Sequence, residues 1–594
     1  ANPTWDSHVF NIWGTLASRP EIANADSLSD EELLSALASQ GYFEYSNGDK
    51  IIFYRGYDDE TKQKGYSAGD LTLYAQWDEV VCKVTDMNGR LLYINGSPAV
   101  FGTLEEGFNA VNNSIFTSNK NGTGIVNATL PKYIKLLVGS TTLNEQVSVN
   151  RGRTVVLTTA SNTDTDGYSY TGTSGTYCIV SASSDLDKSM VVVQTSLTIR
   201  NLTLDAGARS ISGNGGIVSV EGSQANLTIG SGAILQNSTV EGNGGAIYAV
   251  ATTSITMSGG VISNSKANNG GAIYSSGTTT LNSGIISNNT ATSNGGAVYV
   301  DNGSVLNLRS ISIRDNTIDT GVSVQANNAD TKYSAGIYLA TGGSNARLNI
   351  SGAPSFSNNN VKVEGYSNKT IGDNRYSNNT IPVDIYLAET GTEDNNDPQM
   401  IYISGTITGS SDIYIYEENE WHYKKQMPFA KVNNNVTPGN VEVFKNSRDD
   451  AVTENTTGEV LYGVINMNDP STVNWYDITG TRIVILRKTS SSYNSLSGAQ
   501  FIIYADSNGT RIAKDADGNQ ICTTDNPLVT GSDGIIYVGN LNYGTYYVKE
   551  ISAPSGYSLP GNGYYFIVTV NEDGVGYLDN DEIQEEVKAS TVYW

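Results

Sequence analysis

Gly244-Gly245-Ala246-Ile247-Tyr248, Gly270-Gly271-Ala272-Ile273-Tyr274 and Gly295-Gly296-Ala297-Val298-Tyr299 are one phrase written three times, at spacings of 26 and 25 residues. A shorter copy, Gly215-Gly216-Ile217-Val218, stands 29 residues before the first. Ala335-Gly336-Ile337-Tyr338 brings its Tyr 39 residues after Tyr299, as if one loop were inserted. Between the phrases two more short runs recur. Ser254-Ile255-Thr256-Met257 matches Thr279-Thr280-Leu281 and Val305-Leu306-Asn307-Leu308, and Val261-Ile262-Ser263-Asn264 matches Ile285-Ile286-Ser287-Asn288 and Ser312-Ile313-Arg314-Asp315. Three short β runs in a unit of roughly 25 residues is the arithmetic of a parallel β-helix, whose coils cannot bury their apolar side alone and so stack. A propeller blade needs four strands and about 40 residues, so that architecture is excluded.

Stacking at the strand spacing of about 4.8 Å makes specific demands. It places Ile247, Ile273, Val298 and Ile337 in one interior column, and sends Tyr248, Tyr274, Tyr299 and Tyr338 outward as a ladder of rings. It aligns Asn237, Asn264, Asn288 and Asp315 at one corner, where side-chain amides are expected to bond from coil to coil. The paired glycines supply the positive φ that a β-branched residue cannot take.

Composition agrees and excludes other classes. The 594 residues carry 35 Lys and Arg against 60 Asp and Glu, a net charge of -25, with only 16% charged and 62 glycines. So acidic a chain without a basic patch is a poor partner for nucleic acid. No apolar run approaches the ~18 residues of a membrane span, and none is expected to insert. Abundant Tyr, with 36 copies, and β-branched residues make the class all-β, while 38% hydrophobic content excludes a disordered chain. Two histidines, His8 and His422, leave almost nothing for histidine-based acid–base chemistry. Cys82, Cys178 and Cys522 lack metal-ligand spacing, so neither a disulfide framework, a metal site nor a cofactor is expected. The chain starts at Ala1 without a secretory leader and stops at Trp594 without a sorting signal, and reads as a mature fragment.

The repeat resembles the pectin-lyase-like right-handed β-helices of large Gram-positive surface proteins. Phe101-Gly102-Thr103-Leu104-Glu105-Glu106-Gly107-Phe108-Asn109-Ala110-Val111 is similar to the short helix that covers the first coil in that family. Such a cover is physically needed, because an open end exposes unpaired strand edges. Downstream, Asp384-Ile385-Tyr386-Leu387, Met400-Ile401-Tyr402-Ile403 and Ile413-Tyr414-Ile415-Tyr416 still read as coils, and residues 432–475 as a closing cap. At the N-terminus, Ser29-Asp30-Glu31-Glu32-Leu33-Leu34 carries a capping-box helix start, with a helix running to about Ala38. Leu71-Thr72-Leu73-Tyr74-Ala75-Gln76-Trp77 resembles the closing strand of an internalin-type B-repeat.

From about Thr481 the pattern changes. Lys488, Leu496-Ser497-Gly498-Ala499-Gln500-Phe501, Gly544-Thr545-Tyr546-Tyr547-Val548-Lys549-Glu550 and Ala553-Pro554-Ser555-Gly556-Tyr557 together resemble the Cna-B or SpaA-type pilin domain, a prealbumin-like sandwich. The resemblance implies that Lys488 is the strand lysine which bonds to a last-strand Asn, with Glu550 as proton shuttle. A lysine buried between sheets becomes a neutral nucleophile beside a carboxyl that moves protons. The acceptor position departs from the family, since Val592-Tyr593-Trp594 stands where the Asn is found. An ordinary Lys488–Glu550 ion pair is the alternative.

Three segments are therefore expected: a B-repeat-like module at 1–78, a β-helix with its caps at 79–480, and a β-sandwich at 481–594. The expected function is a Gram-positive cell-surface or cell-wall adhesin, secreted and monomeric. Its β-helix would present Tyr248, Tyr274, Tyr299 and Tyr338 to a host or bacterial glycan or surface protein, aromatic faces beside Asn and Ser suiting such contact. A polysaccharide lyase or hydrolase on the same stalk is the rival, and a ligand-free spacer the third reading. The rival needs clustered acids, yet Asp-Asp pairs occur only at 58–59 and 449–450. Arg309, Arg314 and Asp315, beside the loop 319–333, form the densest charged patch of the repeat.

Overall fold

The computed structural model describes residues 8–14, 35–37, 44–45, 74–207, 209–319, 324–325, 333–342, 345–364, 380–388, 399–418, 428–447, 461–465, 471–477, 484–488, 496–515, 518–531, 534–538, 541–542, 544–559, 566–571, 574–579, 582–583 and 591–593. Nearly all of its regular structure is β. The chain divides into two compact units, one of residues 1–186 and 190–205, the other of 187–189 and 206–594.

In the first unit, His8–Gly14 pairs antiparallel with Glu44–Tyr45 and with Tyr74–Glu79. Residues 35–37 are helical and Leu37 is buried, within the span expected for the capping-box helix; its start and Leu71–Leu73 of the B-repeat phrase lie outside the described residues. The helix Leu104–Asn113 forms where the phrase before it predicts. Thr103 accepts from the Glu106 N–H and the Glu106 carboxylate returns to the Thr103 N–H, closing a capping box. Leu104, Phe108 and Val111 face inward and are buried. Three parallel columns follow. Lys132–Leu136, Thr154–Thr159 and Ser196–Ile199 form one, Ser140–Leu143, Ile179–Ala182 and Leu202–Asp205 the second, Val147–Val149 and Val191–Val193 the third. Lys83 is fully buried here, its ammonium 2.8 Å from Asp164 and 2.8 Å from Asp166, so the charge is matched rather than stranded.

The second unit contains the repeat. Val218, Ile247, Ile273, Val298, Ile337, Ile385 and Ile415 are successive parallel partners and all are buried. A second column runs through Asn226–Ile229, Ser254–Ser263, Thr278–Ser287, Val305–Arg314, Arg347–Gly352, Ile401–Ile407 and Pro428–Val432. Three of these strands are 10 residues long, because the two short runs read separately in the sequence join through a bend at the Gly259-Gly260 level. A further column was not legible as β. It comprises Ser210–Ile211, Thr239–Val240, Lys266–Asn269, Thr290–Asn294, Thr317–Ile318 and Asn360–Glu364. Its polar letters conceal a single inward residue per coil: Ile211, Val240, Ala267, Ala291, Ile318 and Val361.

The two glycines of each phrase do different work. The first has positive φ, at 63° for Gly215, 68° for Gly244, 64° for Gly270 and 66° for Gly295. The second has no such torsion; a Cβ on Gly245, Gly271 or Gly296 would strike the carbonyl oxygen of Gly271, Gly296 or Ala335 in the adjacent coil. One glycine makes the corner and the other lets the coils approach.

The column ends on antiparallel strands. Pro428–Val432 pairs with Thr472–Asp477, and Phe444–Asn446 with Leu461–Ile465. Phe429 stacks on Trp475 at 3.8 Å between ring centroids, and the Trp475 indole N–H donates to Glu417 at 2.7 Å. Phe429 and Trp475 are both buried, so these antiparallel strands cover apolar side chains at the end of the stack.

The C-terminal part of this unit has two sheets. Leu528–Val529, Gln500–Tyr504, Gly544–Ser552, Phe566–Asn571, Gly574–Asp579 and Glu582–Ile583 form an antiparallel sheet of six. Ile535–Val538, Val484–Arg487 and Thr591–Tyr593 form the other. Phe501, Ile503, Tyr546, Val548, Phe566 and Val568 share one apolar core with Leu486, Ile536 and Val538.

Candidate functional site

The tyrosine column is longer and tighter than its sequence suggests. Tyr248, Tyr274, Tyr299, Tyr338, Tyr386 and Tyr416 lie in one file, with centroids 5.4, 4.9, 5.1, 5.0 and 5.2 Å apart and planes within 19° of parallel. The spacing is that of the strands beneath them, so rings on successive coils are forced face to face. The sequence places Tyr386 and Tyr416 on coils but not in this ladder; their Ile-Tyr-Leu and Ile-Tyr phrases, without the paired glycines, are the available signal.

The first four rings are half-buried and the last two buried. Tyr386 and Tyr416 sit in a cluster with Ile318, Val361 and Val383, against which Tyr338 packs. Each interior ring has both faces occupied by its neighbours, so the expected open aromatic platform is absent and hydroxyl edges remain. The Tyr274 hydroxyl donates to Asp301 at 2.9 Å, and Ser276 donates to the same oxygen at 2.8 Å. Burial pushes the Tyr274 phenol well above its ordinary range, and the Asp301 hydrogen bond and charge add to this. Burial raises Tyr299 and Tyr338 likewise, with Asp301 acting on the former and Tyr299 and Glu418 on the latter.

The amide ladder exists, one residue along from where the spacing put it. Asn237, Asn264, Asn288, Asp315 and Asn358 hold φ of 60°, 53°, 56°, 56° and 54°, the left-handed corner that Asn and Asp tolerate. The corner turns those side chains outward and the next residue inward. Asn289, Asn316 and Asn359 are therefore the buried ladder. Asn289 Nδ2 donates to Asn316 Oδ1 at 3.0 Å, Asn316 Nδ2 to Asn359 Oδ1 at 2.9 Å, and Asn359 Nδ2 to Asp384 Oδ1 at 2.9 Å. The other Asp384 oxygen accepts the Tyr414 N–H at 2.9 Å. Burial raises the Asp384 carboxyl to about 7, against those two donors and with the Asp412 charge adding to the rise.

The charged patch considered for catalysis resolves into a corner. Arg314 meets Asp315 at 2.6 Å, and Asn358 donates to Asp315 at 3.0 Å. The Asn358 bond, with Arg314, holds Asp315 below the usual carboxylate range, the wrong direction for a general acid. Most of the neighbouring 319–333 loop lies outside the described residues, as do the acid pairs at 58–59 and 449–450. Among the described residues no three His, Cys, Asp or Glu side chains gather to hold a metal, and no helix is long and apolar enough to cross a membrane.

Lys488 and Glu550 are brought together. Lys488 Nζ donates to Glu550 Oε2 at 2.8 Å, with the lysine side chain 12% exposed and the glutamate 0%. The buried Glu550 Oε1 has no hydrogen-bond donor among the described residues. Thr591–Tyr593 runs parallel to Val484–Arg487, with Leu486 opposite Val592 and Arg487 opposite Tyr593. Trp594, at the position weighed for the acceptor, lies outside the described residues.

Residues 482–582 match the family model of the SpaA prealbumin-like fold domain. No curated protein matches the chain. Among solved structures, a variant of BcpA, the major pilin subunit of Bacillus cereus, is 25% identical over 19% of this chain and 27% of its own, with a TM-score of 0.11. The group B streptococcus pilus 2b backbone protein is 22% identical over 24% of this chain and 49% of its own, with a TM-score of 0.15. A second BcpA structure is 20% identical over 23% of this chain and 35% of its own, with a TM-score of 0.11. The chain thus spans less than half the length of each.

Proposed function

We propose that this is a Gram-positive cell-surface display protein in which a right-handed parallel β-helix is held out by a pilin-type stalk domain. The carrying observation is the prealbumin-like match over 482–582, with a lysine and a buried glutamate paired inside it. The parallel columns of the repeat support the β-helix, and segments 1–78, 79–480 and 481–594 remain the domain assignment. The role is adhesion: the long stack presents a surface to a glycan or surface protein, without cofactor or metal and without catalysis. Tyr248, Tyr274, Tyr299 and Tyr338 contribute through hydroxyl edges.

Surface labelling tests this reading. Protease treatment of intact Gram-positive cells expressing the protein should release its fragments; fragments only after lysis would overturn it. The covalent state of Lys488 is a separate question. Amide formation with an Asn would join Nζ to the side-chain carbonyl carbon and expel one ammonia. Because Val592-Tyr593-Trp594 stands where the family has its Asn, we expect the chain to keep the ion pair and show its full calculated mass. A mass short by one ammonia would show that another Asn reaches the site.

A further inference from the structure

Seven strands that lie side by side in the second unit, Asn226–Ile229, Ser254–Ser263, Thr278–Ser287, Val305–Arg314, Arg347–Gly352, Ile401–Ile407 and Pro428–Val432, contain no aspartate or glutamate. The chain as a whole has 60 acids against 35 bases. The outward positions of this sheet carry hydroxyls and amides, then cations. Thr280, Asn307, Asn349, Tyr402 and Lys431 are successive partners, one per coil. Asn307 Nδ2 donates to Thr280 at 3.1 Å and Asn349 Nδ2 to Asn307 Oδ1 at 2.8 Å. Arg347 donates from Nε to Asn349 Oδ1 at 2.9 Å, and its guanidinium lies 3.8 Å over the Tyr402 ring.

We infer that this face binds a linear glycan bearing carboxylate or sulfate groups, laid along the stacking direction. The inference rests on the display reading only for access to such polymers. Three features carry it. The ladder fixes the amides in one orientation, and each primary amide still has a second N–H and a second lone pair for ligand hydroxyls. The Arg347 fork, held flat by Asn349 and Tyr402, is set to meet a planar or tetrahedral anion, and exposed Lys431 adds a second charge two coils from Arg347. Acids are excluded from these strands, and at physiological salt the field of the acidic remainder of the chain is screened within about 8 Å, so the local charge governs. A protein partner would call for an apolar centre, whereas here the single aromatic ring in the row, Tyr402, is covered by the Arg347 guanidinium.

The test is binding of the full chain to hyaluronate, as the carboxylate probe, and dextran sulfate, as the sulfate probe, against neutral dextran and polyglutamate. At least one anionic glycan should bind while dextran does not; the responding probe identifies the anion. Arg347→Glu with Lys431→Glu should weaken binding at least tenfold and Asn349→Ala several-fold, with the β circular-dichroism spectrum kept. Lys514→Glu, a charge reversal at an exposed lysine of the pilin-type segment, should leave affinity unchanged. Failure of both anionic glycans, equal binding of dextran, preference for polyglutamate, or indifference to the charge reversal would each overturn the inference. None of these results bears on surface location, which the labelling experiment decides.

Discussion

Asn316 shows how one side chain can serve three coils. Its Oδ1 takes both the N–H and the Nδ2 of Asn289, and its Nδ2 donates to Ile286, Arg314 and Asn359. Asn316→Leu keeps the volume approximately and strands those buried groups. The expected loss is about 3 kcal/mol of unfolding free energy. Denaturant unfolding checks it; a loss under about 1 kcal/mol would show that the ladder is replaceable by packing. Asp384 ends the same ladder and makes it pH-sensitive. Its folded-state carboxyl is raised to about 7 from the ordinary 3.8, so the folded chain holds the proton more tightly than the unfolded one. The stabilisation from that proton is fully present below about pH 4 and is lost as pH rises through about 7. The melting temperature of the parent minus that of Asp384→Asn should therefore fall between pH 4 and pH 7. A difference that is flat, or that rises with pH, would contradict the assignment. Why the ladder was misplaced by one residue is a matter of torsion: the sequence shows a polar pair at each corner, Asn288-Asn289, Asp315-Asn316 and Asn358-Asn359 among them, but only the left-handed φ decides which member turns inward.

At the scale of the element, the glycine pair is the clearest case. Gly271→Ala places a methyl against the Gly296 carbonyl and the Thr290 backbone in the next coil, and should cost about 2–3 kcal/mol. Gly213→Ala meets nothing within 4 Å and should stay within about 0.5 kcal/mol of the parent. Equal effects at the two sites would show that the coils do not approach as described. The tyrosine column gives an optical test. With Tyr274 and Tyr338 held above the ordinary phenol range chiefly by burial, an ultraviolet absorbance titration should find a late-ionising set of tyrosines that Tyr274→Phe and Tyr338→Phe deplete. Ionisation of every tyrosine together, before unfolding, would argue against the stack. Sequence showed the period, the interior Ile and Val column and the covering helix, because each is written in apolar spacing. It could not show that the outward rings close on one another, since that follows from coil spacing in three dimensions. Nor did it reveal the extra Ser210–Glu364 column, where one small inward residue per coil leaves no alternation to read.

For the whole molecule, the most specific lettering lay in the pilin-type segment, where the expected partners Lys488 and Glu550 meet at 2.8 Å. Removing the cation alone, as in Lys488→Ala, should cost about 3–5 kcal/mol because Glu550 stays buried. A cost below about 1 kcal/mol would show that the glutamate is compensated elsewhere. Display, catalysis and a ligand-free spacer remain the accounts of the repeat. Asp315 is engaged at its corner by Asn358 and Arg314, which hold it below the usual carboxylate range, and only assay decides between the accounts. The direct measurement is incubation of the full chain with plant, mucin and bacterial glycans, with and without a calcium chelator, scoring both retention and newly formed chain ends. The display account predicts retention of an anionic glycan with no new ends under either condition. New chain ends, lost on chelation or on Arg314→Ala, would contradict it and make the protein an enzyme.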